Sequence, residues 1–217
     1  MNINDAVTQI NRTCHHELAA TGEDHPKHKT SPTDQVQVIA YHFSKIMQSL
    51  GLDLTDDSLK NTPGRVAEMY VNEIFSGLNP LNEPAITLFD NSYAYGEIIL
   101  ERNIPFYSYC EHHFVPIIGK ATVAYLPAGK VAGLSKLNRA VHYFSKRPQV
   151  QERLTAEIAV FLKEKLHTPD LAVIMEAEHL CIASRGIRDT GSTTITGSYH
   201  GVLGAERKNE LLHLLKL

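Results

Sequence analysis

The hydrophobic period changes twice along the second half of the chain, and that change limits the folds open to it. Leu134, Leu137, Ala140, Val141 and Phe144 fall at helical spacing, Pro148 interrupts, and Val150, Leu154, Ile158, Phe161 and Leu162 resume it. β-type composition lies on both sides, with Ile98-Ile99-Leu100 and Ile117 to Leu126 before, and Leu171 to Cys181 and Thr193 to Tyr199 after. Two helices therefore sit between two strand pairs, and a closing helix is expected over Glu206 to Leu215. This order predicts an α+β fold, with two helices packed on one face of an antiparallel four-stranded sheet.

Two more helices are expected upstream. From Asp34, read as an N-cap, apolar residues recur at Val36, Ile39, Ala40, Phe43, Met47 and Leu50, and Gly51 stops the run. Thr62-Pro63 then opens a second helix reaching about Ser76-Gly77. Residues 1 to 33 are polar and broken by Gly22, Pro26 and Pro32, which suits a short helix and an arm. The expected division is an N-terminal arm with helices over 1–95 and a catalytic domain over 96–217.

Composition removes several function classes. With 217 residues, 43% of them hydrophobic, the chain can bury one substantial core. A formal net charge of -3 argues against a nucleic-acid partner, since phosphate-backbone binding needs a clustered excess of Lys and Arg. No apolar run approaches the roughly 18 residues of a membrane span, and the first thirty residues lack a hydrophobic signal core, so no membrane association and a cytoplasmic location are expected. Cys14, Cys110 and Cys181 form no disulfide framework, which leaves the thiols free, catalytic or metal-bound.

Cys110-Glu111-His112-His113 sets a thiol and an imidazole at C-x-x-H spacing, close enough for a bend to aim both at one ion. If the strand through Cys181 is regular, His179 and Cys181 share a face and add a second thiolate to the same pocket. Two thiolates and one imidazole suit zinc, and three ligands leave a fourth tetrahedral position for water. Neighbouring side chains diverge, so one of His112 and His113 would bind metal and the other face substrate. Spacing favours His113 as ligand, with His112 and His179 as proton carriers. The competing reading is that these histidines only decorate a strand end. Cys14-His15-His16, with His25 and His28, resembles a rival site but lacks a rigid scaffold.

Ser135, Lys136 and Arg139 lie off the apolar stripe of their helix, and Arg185 and Arg188 follow the cysteine-bearing strand, so both sets are candidate phosphate binders or simply solvated charge. Glu152 is either a first-turn acid favoured by the helix dipole or an acceptor for the N1-H and 2-amino donors of guanine, an edge adenine lacks.

Taken together, these motifs resemble the GTP cyclohydrolase I family. The likeness runs through Cys110-Glu111-His112-His113, Gly133-Leu134-Ser135-Lys136 with Arg139, Arg147-Pro148-Gln149-Val150-Gln151-Glu152-Arg153-Leu154-Thr155, His179-x-Cys181 and Arg185-Gly186. Asp57-Ser58-Leu59, Thr62-Pro63-x-Arg65 and Ile74-Phe75-x-Gly77 extend it upstream, so that it covers roughly residues 34 to 200. The resemblance implies a tunnelling fold (T-fold) whose subunits complete a barrel by oligomerising, typically a homodecamer of two pentameric rings with active sites between subunits. It implies Zn2+ held by Cys110, His113 and Cys181. It also implies Glu152 as guanine anchor with Gln151 nearby, Lys136, Arg139, Arg185 and Arg65 on the triphosphate, and Ser135 on the ribose. His112 and His179 become the catalytic histidines, His179 giving a proton to N7 of GTP. The implied reaction opens the imidazole ring at C8, releases formate and yields 7,8-dihydroneopterin triphosphate, the first step of tetrahydrofolate and pterin synthesis. Two other readings stand beside it: a non-catalytic nucleotide- or pterin-binding module with structural zinc, and a related tunnelling-fold enzyme acting on another purine-derived substrate.

Overall fold

The computed structural model describes residues 31–216. The expectations for the N-terminal arm and for Cys14-His15-His16, His25 and His28 lie outside the described residues. Helix α1 (Pro32–Ser49) opens with Ser31 as its cap, not Asp34 as the sequence suggested, because Ser31 Oγ accepts from the Asp34 backbone N–H at 3.2 Å and donates to the Asp34 carboxylate. Pro32 occupies the first turn, where its missing N–H costs nothing. Gly51, at φ +76, follows the helix end. Helix α2 (Thr62–Glu68) is shorter than expected, since the winding widens to a π-helix over Met69–Ile74 and tightens to a 3-10 turn over Ser76–Leu78.

Four long strands form the antiparallel sheet: β2 (Ile99–Cys110), β3 (Pro116–Tyr125), β6 (Leu171–His179) and β7 (Thr194–Tyr199), in the order β2-β3-β6-β7. Three short strands went unseen in the sequence. The first, β1 (Leu88–Asp90), pairs with β4 (Lys130–Ala132) in a separate ribbon, and β5 (Pro148–Gln149) adds a fifth, parallel rung beside Tyr109 and Cys110. Segments of two or three residues are too short to show a period. The outer edge of β2 from Ile99 to Ser108 pairs with no strand among the described residues, and β7 closes the other side of the sheet with its own outer edge open.

Helices α3 (Leu134–Ser145) and α4 (Gln151–Leu166) cover one face. Along β2 the side chains alternate, with Ile104, Phe106, Ser108 and Cys110 buried and Pro105 and Tyr107 exposed, so the period-2 rule places Cys110 on the helix side of the sheet. There Leu137, Val141, Leu154, Ile158 and Leu162 meet Ile117, Val123 and Met175, all fully buried, each worth about 1.5–3 kcal/mol relative to exposure. The opposite face carries a smaller cluster of Ile98, Ala124, Ala172, Leu203 and Leu211, closed by the C-terminal helix over Lys208–Leu214. No helix among the described residues is long and apolar enough to cross a membrane.

Candidate metal centre

Strand β2 delivers Cys110, and the chain reverses over five residues before β3 begins. Cys110 N–H donates to Val115 O at 2.9 Å and Phe114 N–H to Cys110 O at 2.8 Å, which closes the turn with His112 and His113 at its outer bend. Phe114 adopts φ +52 to complete it. On the far side of β3, the register pairs Ile117 with His179, the last residue of β6. The sequence reading carried this strand through Cys181, and here the structure corrects it: Cys181 lies in a single helical turn, α5 (Leu180–Ala183). His179 and Cys181 are thus not strand neighbours on one face; the helical turn is what swings the thiol back toward β2.

The result is a cluster in which the donor atoms of Cys110, His113 and Cys181 all lie within 4.8 Å of one another. Burial pushes the Cys181 thiol above its ordinary range and the neighbouring Cys110 adds to this, with Arg185 opposing. Two sulfur donors and an imidazole held this close make a ligand set for a soft or borderline divalent cation, so the donor set fits zinc.

Arg185 Nη1 donates to His113 Nε2 at 3.1 Å, which sets a guanidinium against the cluster. His112 is exposed, with Nδ1 3.7 Å from Cys110 Sγ and Nε2 3.8 Å from Glu111. His179 has the opposite environment. Burial holds its pKa below the ordinary 6.5, against the opposing charge of Glu152, and its Nε2 lies 2.7 Å from Gln151 Oε1. Gln151 is buried, and its amide nitrogen faces only acceptors, Met175 O at 3.2 Å, Thr194 O at 2.9 Å and Thr196 Oγ1 at 3.2 Å. The amide oxygen must therefore face His179, and His179 Nε2 must carry a hydrogen. Glu152 sits exposed on the first turn of α4, one residue from this pair.

Ser135, Lys136 and Arg139 lie on the first turns of α3, and Arg65 on α2. Among the described residues, the side-chain hydrogen bonds of the cluster run to His112 and Arg185 and none to these four. Sequence reasoning named Glu111, Arg153 and Phe75 only as parts of motifs and missed both Phe114 and the contacts these residues make around the turn. Glu111 accepts from Arg153, and Phe114 packs on Phe75 at a ring distance of 5.2 Å. Both pairs join segments about forty residues apart, so no local spacing could have revealed them.

The GTP cyclohydrolase I family model matches residues 39–216. A GTP cyclohydrolase 1 of Flavobacterium johnsoniae is 51% identical over 185 residues, 85% of this chain and 83% of that one. The Erwinia tasmaniensis enzyme of the same name is 55% identical over 76% of this chain and 75% of its own length. That of Escherichia coli is 48% identical over 88% and 87%. On this match, and on an α+β sheet of the T-fold kind, the chain belongs to the GTP cyclohydrolase I family of hydrolases.

Proposed function

We propose that this chain is a zinc-dependent GTP cyclohydrolase I that hydrolyses the imidazole ring of GTP at C8, releases formate and forms 7,8-dihydroneopterin triphosphate, opening tetrahydrofolate and pterin synthesis. The observation that carries the metal reading is the convergence of Cys110, His113 and Cys181 on one point. Cys110, His113 and Cys181 would hold a zinc ion there, which would supply activation of water as a nucleophile at neutral pH.

The remaining work falls to the chain's own groups. Protonation of N7 makes C8 electrophilic; His179, with Nε2–H committed to Gln151, takes a proton from solvent on Nδ1, and the resulting imidazolium passes that proton to N7 and returns to the neutral tautomer. Exposed His112 is the second acid-base group, serving the ribose opening and ring closure that follow. The Glu152 carboxylate, with Gln151 beside it, accepts from N1–H and the 2-amino group of guanine, which selects against adenine. Arg185, already against the cluster, joins Lys136, Arg139 and Arg65 on the triphosphate, and Ser135 takes a ribose hydroxyl.

The open outer edges of β2 and β7 support assembly of copies into a closed barrel, in the homodecamer that the family resemblance implies. Basic groups with no link to the cluster in one chain are then supplied across subunits. The free thiols of Cys110 and Cys181 suit a reducing, cytoplasmic setting. Incubating the zinc-loaded protein with GTP, then measuring formate and the fluorescence of the oxidised pterin, tests the proposal. Equimolar formate and pterin are expected; GTP binding without turnover in an assembled, zinc-replete sample would leave a binding module in its place.

A further inference from the structure

The turn from Cys110 to Phe114 contains two residues that the proposed chemistry does not use, Glu111 and Phe114, and each is tied to a different part of the fold. Phe114 holds a left-handed backbone at φ +52, a conformation that strains a bulky residue and persists only where the surroundings enforce it. The residue is 47% exposed, so burial alone does not account for that conformation. What its ring does meet is aromatic: Phe75 at 5.2 Å and Tyr70 at 6.3 Å, with Phe75 in turn 5.8 Å from Tyr109, the residue before Cys110.

The other flank is polar. Arg153 of α4 donates Nη2 to Glu111 and Nε to Gln149 Oε1, the latter at 2.9 Å. The buried Gln149 amide donates onward to Glu157 at 2.9 Å, and Glu157 also accepts from Arg147 at 3.4 Å. Arg147 Nε then donates to Gly77 O at 2.9 Å, two residues beyond Phe75. The contacts therefore form a closed circuit that leaves the turn at Phe114 and returns to it at Glu111, with the loop 75–77 as the common anchor.

We infer that this circuit is the positioning device of the metal turn, with Phe114 and Glu111 as positioning residues that hold Cys110 and His113 at the spacing Cys181 requires. An isolated ion pair as exposed as Glu111 and Arg153, at 32% and 43%, contributes little to stability, but here it is joined through buried Gln149 to a rigid frame. The loop between the N-terminal helices and the sheet thus becomes part of the site's geometry. The inference rests on the reading of the three donors as a zinc centre.

Zinc affinity of the full-length protein, measured by chelator competition, tests it independently of turnover. Phe114→Ala and Glu111→Gln are expected to weaken zinc binding by about 10- to 100-fold, with circular dichroism and zinc-free thermal unfolding close to wild type. Phe114→Tyr, which keeps the ring, should restore affinity to within a few fold. Should Phe114→Ala fail to fold, Glu111→Gln, a near-isosteric change on a half-exposed side chain, decides the matter. Wild-type zinc affinity in Glu111→Gln together with a folded Phe114→Ala, or in Glu111→Gln alone where the other does not fold, overturns the positioning role while leaving the centre intact. A wild-type protein that binds no zinc overturns the reading of the centre, and the inference with it.

Discussion

Gln151 Oε1 stands 2.7 Å from His179 Nε2, while the amide nitrogen is divided among Met175 O, Thr194 O and Thr196 Oγ1. A primary amide can flip only if its surroundings accept either end, and here three acceptors surround the nitrogen. The imidazole is therefore presented in one tautomer. Gln151→Leu should lower kcat by about 10- to 100-fold with zinc content unchanged, and Gln151→Glu should do no better, because its second carboxylate oxygen would face the three acceptors that now hold the amide nitrogen. Nitrogen chemical shifts of His179 report the tautomer directly; a Gln151→Leu enzyme of normal kcat would show that the amide is dispensable.

Cys181→Ala leaves two protein donors, a thiolate and an imidazole, on the turn between β2 and β3. Zinc should be lost on dialysis and turnover should fall below detection. His179→Ala, by contrast, should keep one zinc per chain while slowing formate release by about 10²-fold or more. Metal analysis beside the formate assay separates the two; stoichiometric zinc in active Cys181→Ala would refute that residue's assignment as a ligand.

His200 offers a pH effect away from the metal centre. Burial holds its pKa below the ordinary 6.5, with Lys163 adding to the effect, and Ser198 Oγ lies 2.9 Å from its Nε2. A histidine depressed in the folded state binds fewer protons folded than unfolded, so its contribution is complete above about pH 6.5 and is lost as pH falls through the lower folded value. Thermal unfolding followed from pH 7.5 to 5.5 should show a decline that is shallower in His200→Gln. Equal slopes for the two proteins would assign the decline to other groups.

Gly77 is fixed by space rather than by dihedral angle. A Cβ there would come within 2.1 Å of Tyr143 O and 2.7 Å of Lys146 O, and Gly77 N–H already donates to Lys146 O. Backbone carbonyls cannot rotate aside as a side-chain end can. Gly77→Ala should cost about 1–3 kcal/mol or more, seen as a clear fall in the unfolding midpoint. An unchanged midpoint would mean that the loop 75–77 can move off the helix α3 to β5 link without penalty.

The long elements were legible because each is longer than its own period. Leu134 to Phe144 and Leu154 to Leu162 spell out their buried faces, whereas the first long strand was read only from Ile98 to Leu100 and its alternation around Ile104 and Phe106 emerged with the structure. The grouping of Cys110, His113 and Cys181 could be suggested from donor chemistry, but the strand argument offered for it fails at Leu180, where the backbone turns helical. Ladder pairing to β3 stops at His179, so sheet hydrogen bonds no longer oppose that turn. The contacts that Arg153 and Phe75 make with the turn stayed invisible for a different reason. Their partners lie 42 and 39 residues away, and the contact exists only after the tertiary fold brings the segments together.

Strand β3 lies between the two halves of the cluster, with β2 zipped along one side of it and β6 along the other. A slip of β6 by two residues would preserve every inward and outward side chain yet carry Cys181 about 7 Å along the sheet. That is farther than the whole donor cluster spans, 4.8 Å. A misregistered chain could thus look well packed and hold no ion, so metal uptake during refolding serves as a ruler for correct strand alignment.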